Sequence, residues 1–157
     1  MSIAPTLQRY LDQNVTYEMV PHARTLSAAR TAQVCHISGD RLAKGVILRC
    51  SDRYVLAVVP ATHVVRLADL RNQLGDDVAL ADECEFARLF PDCERGAVPA
   101  LGECYSLDMV VDDAIDGLPE VYMEAGDHAT LVRLDRAQFD MLVRDAWHGR
   151  FSERTRH

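Results

Sequence analysis

The pattern of hydrophobic and polar positions predicts helices and strands that follow one another along most of the chain. Apolar residues recur at helical spacing in five stretches, which predicts helices over residues 5–13, 26–34, 65–74, 82–90 and 135–146. Runs rich in β-branched and aromatic residues predict strands over residues 16–20, 42–49, 54–59, 78–81, 106–111, 118–124 and 130–134. Tight turns join several strands, while helices separate the others. The sequence therefore predicts an α+β fold around a mixed, curled central β-sheet flanked by helices.

Polar and breaking residues predict where several of these elements end. Gly75 is placed as a C-cap, and Asp82, followed three residues later by a glutamate, is typical of a helix start with a capping box. The acidic stretch 112–117 is expected to be a solvated turn, because its spacing does not match a calcium-binding EF-hand loop. Gly149 is expected to stop the last helix and to leave a loose, polar tail over residues 151–157.

Length and composition predict a single domain over residues 1–157. A hydrophobic content of 48% is enough to bury a core without disulfides or structural metals. No apolar run approaches the roughly 20 residues of a membrane span, and no secretory signal pattern occurs, which predicts a cytoplasmic protein with no membrane partner. The cysteines are odd in number and form no C-x-x-C pair, so five free thiols are expected: Cys35, Cys50, Cys84, Cys93 and Cys104.

The formal net charge of −7 argues against a broad surface that follows phosphates, so no DNA partner is predicted. A small local contact with nucleic acid remains compatible with this charge. The sequence also lacks the Gly-rich phosphate loops of P-loop and dinucleotide-binding proteins, which makes a doubly wound nucleotide-binding fold the less favoured architecture.

A loop with a glycine at both ends and a proline inside is the first candidate for a binding site. Its sequence is Gly96-Ala97-Val98-Pro99-Ala100-Leu101-Gly102, which is too apolar for a solvated linker and too rich in breaking residues for a helix or strand. Pro99 restricts the backbone, and Gly96 and Gly102 are free to take positive φ, so the loop can direct its own N–H and C=O groups at a ligand. An ordinary tight connection between a helix and a strand has the same composition, and this alternative stays open.

Two side chains on predicted strands are further candidates. Lys44 lies inside a predicted strand among apolar residues, so it either reaches solvent from a sheet edge or points into a cleft, where its ammonium needs a partner or a lowered pKa. His22 falls at the end of the first strand. That place suits a binding residue, although a lone histidine there is commonly a partly exposed structural group.

The order and spacing of three motifs resemble those of a known family. Lys44 lies in Leu-Ala-Lys-Gly-Val-Ile-Leu, the 96–102 loop follows, and Glu124-Ala125-Gly126-Asp127-His128 comes near the end. From about residue 22 to the last helix, the chain resembles the YbaK-like aminoacyl-tRNA deacylases, freestanding relatives of the editing domain inserted in bacterial prolyl-tRNA synthetases. The motifs are short, so the resemblance depends on their order rather than on any single one.

The resemblance implies hydrolysis of the ester between a wrongly attached amino acid and the terminal adenosine of a tRNA, typically tRNA for proline. It implies a metal-free site without a cofactor, a mischarged tRNA acceptor end as partner and a synthetase as a second partner. The catalytic residues that it implies are Lys44, Gly96 and Gly102. The substrate-binding residues that it implies are His22, Ala97, Val98, Pro99, Ala100, Leu101, Gly126, Asp127 and His128.

The sequence departs from the family pattern at two positions, which leaves the amino acid undetermined. The family loop is often Gly-Ala-Val-Pro-Pro-Phe-Gly, but Ala100 stands where the second proline would be. Alanine-specific members tend to have asparagine after the lysine, and here Gly45 follows Lys44. A binding module that keeps the pocket without turnover is therefore an alternative. Thiol chemistry through Cys35 and His36 is disfavoured, because adjacent side chains on a helix or strand do not face one another.

Overall fold

Six helices and ten strands make up the part of the chain that the computed structural model describes, residues 3–75 and 77–155. The helices are α1 (Pro5–Asn14), α2 (Ala28–Val34), α3 (Leu67–Leu74), α4 (Glu83–Leu89), α5 (Asp113–Asp116) and α6 (Arg136–Leu142). The strands are β1 (Glu18–Pro21), β2 (Leu42–Cys50), β3 (Arg53–Pro60), β4 (His63–Val65), β5 (Val78–Leu80), β6 (Asp108–Asp112), β7 (Glu120–Glu124), β8 (Thr130–Asp135), β9 (Trp147–Gly149) and β10 (Ser152–Arg154).

Local caps account for where the predicted helices begin. Pro5 occupies the first turn of α1, where its missing N–H costs nothing. The side chain of Ser27 accepts a hydrogen bond from the amide of Arg30 and starts α2 two residues later than the periodicity predicts. Asp82 and Glu85 form the expected capping box of α4. No helix in the described ranges is long and apolar enough to cross a membrane.

The central sheet is mixed, as predicted. Its strand order is β1-β8-β7-β2-β3-β6-β9, and β5 adds to β2. The β2–β3 hairpin is antiparallel over eight pairs from Ala43↔Pro60 to Cys50↔Arg53, whereas β2 with β7, β3 with β6 and β6 with β9 are parallel. Helices pack on both sides, so the predicted fold class is confirmed.

The two faces of β2 are covered by different parts of the chain. Ala43 and Ile47 point to the face that packs against the larger core, which includes residues of α1 and of the 96–102 loop. We call this the first face. Leu42, at the adjacent position, packs against α2, and Leu48 packs against a cluster with α3. This is the second face, and strand alternation assigns each residue of β2 to one or the other.

One edge of β2 changes partner along its length. The strand β7 pairs in parallel with Leu42 and Ala43, and β5 pairs antiparallel with residues 48–50. Within the described residues, no strand pairs with residues 44–46 on this side. We call this segment the open edge of β2.

The predicted loose tail is wrong for residues 151–155. The last helix ends at Leu142, not near residue 146, and residues 147–149 form β9 beside β6 instead of a helix stop. Phe151 is fully buried and stacks on Trp147. Beyond it, β10 pairs with β4, a strand that the hydrophobic pattern did not predict. Residues 156 and 157 of the predicted tail lie outside the described residues.

The acidic stretch is also not a solvated turn. Asp112 is only 2% exposed, and its carboxylate accepts hydrogen bonds from the amides of Ala114 and Phe151. Asp112 therefore caps the short helix α5 and fixes the C-terminal segment from within. Asp116 pairs with His148 at 2.8 Å. The carboxylates in this stretch hold distant parts of the chain together, which local charge density could not reveal.

Candidate functional site

The 96–102 loop is held between α4 and a short 3₁₀ helix. The amide of Ala97 donates to the carbonyl of Glu94, and the carbonyl of Gly102 accepts from the amides of Tyr105 and Leu107 at 2.9 Å each. Gly96 takes the expected positive φ, 81°. Gly102 does not, since its φ is −103°, and its small size matters instead because an added Cβ would lie 3.0 Å from that of Leu107.

Three amides of this loop donate no backbone hydrogen bond to a described residue. Ala100 and Leu101 are fully buried. Among the backbone hydrogen bonds that the described residues make outside helices and strands, none is donated by the amides of Val98, Ala100 or Leu101. Buried N–H groups without an acceptor are rare in proteins. Of these three residues only Val98 is partly exposed, so its amide is the one that a ligand oxygen can approach from solvent.

The Gly126-Asp127-His128 turn is joined to the start of the loop. The Nε2 atom of His128 lies 2.5 Å from the carbonyl oxygen of Arg95, and a Cβ on Gly96 would lie 3.3 Å from His128 Cε1. Asp127 shapes the turn by accepting hydrogen bonds from the Ala129 amide and the Thr130 hydroxyl. Two of the predicted motifs thus form one unit.

Pro99 carries the loop onto β2 beside the predicted lysine. A Cβ added to Gly45 would lie 3.2 Å from the carbonyl oxygen of Pro99 and 2.8 Å from Leu56 Cδ1. The loop therefore rests on the first face of β2. Alternation directs the side chain of Lys44 to the second face, opposite the loop. The two predicted parts are therefore neighbours along the strand but lie on opposite faces of the sheet.

Lys44 is half-buried and lies opposite Val59 of β3. Burial lowers the pKa of its ammonium. Within the described part of the chain, no carboxylate forms an ion pair with it. It is also the sole lysine of the sequence, since the other 16 of the 17 basic residues are arginines. A position that takes the only lysine favours the compact, easily deprotonated amine over a guanidinium.

Glu124 is a buried acid that belongs to one of the three sequence motifs but is not among the predicted site residues. It is 7% exposed, and its Oε2 atom has no hydrogen-bond partner among the described residues. Burial raises its pKa to about 7. The last pairs between β2 and β7 are Leu42↔Tyr122 and Ala43↔Met123. Lys44 is the next residue on β2, and Glu124 is the next residue on β7. Alternation from Leu42 and Tyr122 puts both charged side chains on the second face.

His22 lies two residues beyond Val20, which packs on the same second face. Its amide donates to the carbonyl of Ala129, so it continues the pairing of β1 with β8. The Nδ1 atom lies 2.7 Å from the carbonyl oxygen of Ala23, and the buried Nε2 atom has no partner. His22, Lys44 and Glu124 thus share one face of the sheet.

A surface cavity of about 720 Å³ also opens on the side of α2. Its walls include Arg30, Thr62 and Arg154. None of the predicted site residues is among the described residues that line it. The cavity is therefore separate from the predicted site.

The family model for aminoacyl-tRNA editing domains matches residues 21–142, which contain the whole assembly from His22 to His128. The chain belongs to the aminoacyl-tRNA editing domain family. The YbaK-like resemblance of its motifs is thereby confirmed. A comparison with curated proteins finds no match.

Solved structures with the editing-domain fold can be superimposed on nearly the whole chain. A computationally designed epitope scaffold has a TM-score of 0.84 at 22% identity, over 96% of this chain and 97% of its own. A candidate trans-editing enzyme for prolyl tRNA synthetase has a TM-score of 0.82 at 21% identity, over 97% and 99%. A candidate signal transduction protein from Marinobacter aquaeolei VT8 has a TM-score of 0.77 at 21% identity, over 96% of this chain but 31% of its own. Identities this low show a shared fold alone.

Contact between the loop and β2 can be tested in this editing domain through Gly45. Gly45→Ala is expected to lower the free energy of unfolding by about 1 to 2 kcal/mol, because the new methyl group meets the Pro99 carbonyl and the Leu56 side chain. Urea unfolding measures the effect. Gly117→Ala is the matched control, since nothing lies within 4 Å of its added Cβ. Equal losses in the two variants would show that the loop does not rest on β2.

Proposed function

We propose that the protein is a trans-editing hydrolase that removes a small, wrongly attached amino acid of the alanine, serine or cysteine class from tRNA, with tRNA for proline as the preferred carrier. The observation that carries this proposal is the family match over residues 21–142, because it includes each predicted site residue. The candidate trans-editing enzyme with the same fold supports the choice of proline tRNA. A synthetase that delivers the tRNA is a further proposed partner.

The proposed mechanism uses the open edge of β2. The ammonium of Lys44 pairs with the phosphate or ribose of the terminal nucleotide, and amides of the 96–102 loop, where Val98 is partly exposed, receive the ester carbonyl oxygen as it gains negative charge. The free ribose hydroxyl beside the ester orients the attacking water. The water oxygen forms the new bond to the carbonyl carbon, the ester bond breaks, and the ribose oxygen leaves with a proton. Such a reaction forms no covalent enzyme intermediate.

The environment of the cysteines supports a mechanism without a protein thiolate. Burial raises the pKa of Cys93 to about 11 and that of Cys104 to about 12. Burial also raises the pKa of Cys35 and Cys50. A nucleophilic cysteine needs a lowered pKa. These four thiols are therefore poor nucleophiles at neutral pH.

A non-catalytic binding module of the same fold is the second candidate function. Two observations favour it: Ala100 replaces the second proline of the family loop, and Lys44 lies on the opposite face of β2 from that loop. A module of this kind binds an aminoacyl-tRNA or a small ligand without accelerating hydrolysis.

A panel of mischarged tRNAs tests both candidates. Release of labelled alanine, serine or cysteine should be accelerated at rates within about a hundredfold of one another, because a pocket that excludes by size discriminates weakly among smaller side chains. Phenylalanine should be released at the uncatalysed rate. Matching rates for phenylalanine and alanine would refute size selection, and binding without any release would favour the binding module.

A further inference from the structure

Glu124 is an unusual group because it is a buried acid that forms no ion pair with any described residue. The residue is 7% exposed, and no described arginine, lysine or histidine forms an ion pair with it. Its Oε2 atom is buried without a hydrogen bond. A buried carboxylate in this state is strongly unfavourable unless a cation or a proton reaches it. The fold keeps this cost on β7, the strand next to the start of β2.

The groups around Glu124 do not supply a cation that contacts its Oε2 atom. Thr31 of α2 interacts with the carboxyl group as a hydrogen-bond partner, and His128 and Asp127 act on its charge with opposite signs. The charge of Glu124 also raises the pKa of the Cys35 thiol. His128 Nε2 is already engaged by the Arg95 carbonyl. None of these groups supplies a full positive charge in contact with Oε2.

The position of Glu124 fits a substrate that enters at the open edge of β2. Glu124 and Lys44 occupy equivalent places just beyond the last β2–β7 pairs, and alternation puts both on the second face. An ester placed between them meets an ammonium on one strand and a carboxylate on the next. The acceptor end of tRNA carries only negative charge, so it matches Lys44 and not Glu124. The positive charge that remains on an aminoacyl ester is the α-ammonium of the amino acid.

We infer that Glu124 binds the α-ammonium of the esterified amino acid, an inference that rests on the proposed function. The carboxylate would accept charge-assisted hydrogen bonds from the ammonium in a site with little water, where such bonds are strong. This contact distinguishes an aminoacyl ester from an ester whose acyl group lacks the amine. It therefore adds recognition of the amine to selection by size.

The decisive test compares two ligands that differ only in the amine. The probes are an alanyl-adenosine in which an amide replaces the ester, and its propionyl counterpart. Calorimetry at pH 7 should give about ten- to a hundredfold tighter binding of the alanyl probe to the wild-type protein. In Glu124→Gln this ratio should fall close to one. Glu120→Gln is the matched control, since Glu120 lies on the same face of the same strand but pairs with Arg133 and Arg41, and it should keep the wild-type ratio.

Three results of this binding assay would overturn the inference. A wild-type protein that binds both probes equally has no amine recognition, and a Glu124→Gln variant that keeps the wild-type ratio places that recognition elsewhere. An equal loss of affinity for both probes in Glu124→Gln also contradicts it, because a general packing role would have that effect. Thermal unfolding confirms that each variant is folded before binding is measured.

A kinetic arm separates this inference from the proposed function. Alanyl-tRNA and propionyl-tRNA are compared as substrates of the wild-type protein and of Glu124→Gln. A loss of ten- to a hundredfold in kcat/KM confined to alanyl-tRNA supports ammonium binding. An equal loss for both substrates overturns the inference alone, because a packing role, or a role as base for the attacking water, does not depend on the amine. If the wild-type protein accelerates hydrolysis of neither ester but still distinguishes the two probes, the hydrolase proposal fails while the ammonium site stands.

Discussion

Replacing Lys44 with alanine is expected to slow aminoacyl-tRNA hydrolysis by about 100- to 1,000-fold, the usual cost of removing one group that stabilises charge in a preorganised site. The physical reason is that its ammonium is half-buried and forms no ion pair with a described carboxylate, so it is held ready for an anionic group of the substrate. Single-turnover deacylation of one mischarged tRNA measures the effect. Lys44→Met keeps most of the volume but lacks the charge, and should be as slow as the alanine variant.

A cysteine-free protein provides the opposite control. Changing all five cysteines to serine should leave much of the deacylation activity, provided that the added hydroxyl groups are tolerated at Cys50 and the other partly buried positions. A substrate without the vicinal ribose hydroxyl should be hydrolysed slowly by every variant. If the cysteine-free protein is folded but inactive while Lys44→Ala remains active, the proposed mechanism is wrong and a thiol nucleophile must be considered.

Replacing Glu124 with glutamine is expected to change how stability depends on pH. Burial raises the pKa of Glu124 from its ordinary 4.5 to about 7 in the folded chain. Between these values the folded state keeps a proton that the unfolded state has lost. The stabilisation is therefore complete below pH 4.5 and is lost as the pH rises through 7, by about 3 kcal/mol in total. Glutamine stays neutral throughout, so the variant should not show this loss.

Urea unfolding at several pH values between 4.5 and 8 measures the effect as a difference between the two proteins, in which the contributions of shared groups cancel. Glu124→Gln should become the more stable protein at pH 8. Glu120→Gln should not, because Glu120 lies 2.6 Å from Arg133 as a partner in an ion pair. Parallel pH profiles for the wild type and Glu124→Gln would contradict the raised pKa.

Much of the sheet could be predicted because its central strands carry strong local signals. The β2 and β3 runs are long and rich in β-branched residues, and the capping box of α4 is specified within four residues. The strands that were missed have three residues each, and their stability depends on partners far along the chain. For example, β10 pairs with β4, about 90 residues earlier. The local sequence pattern carries no information about such long-range pairings.

The candidate site was predicted in its parts but not in its arrangement. Alternation within β2 already separates Lys44 from Gly45, but only the tertiary structure reveals that the loop packs on the side of Gly45. Glu124 illustrates the same limit. In β7, residues 120, 122 and 124 lie on one face, and two of the three are acids. This pattern is typical of an exposed polar surface. Only Glu124 is placed where other elements close over it, whereas Glu120 remains within reach of two arginines.

The sole lysine has a consequence for covalent chemistry. Reagents that acylate or reductively alkylate primary amines can modify only one side chain of this protein, and that side chain lies at the proposed site. Because burial lowers the pKa of Lys44, a larger fraction of its amine is uncharged and nucleophilic at a given pH than for an exposed lysine. Protection of Lys44 from such a reagent by a bound acceptor end would therefore report occupancy of the proposed site in the unmutated protein. Mass spectrometry is the readout.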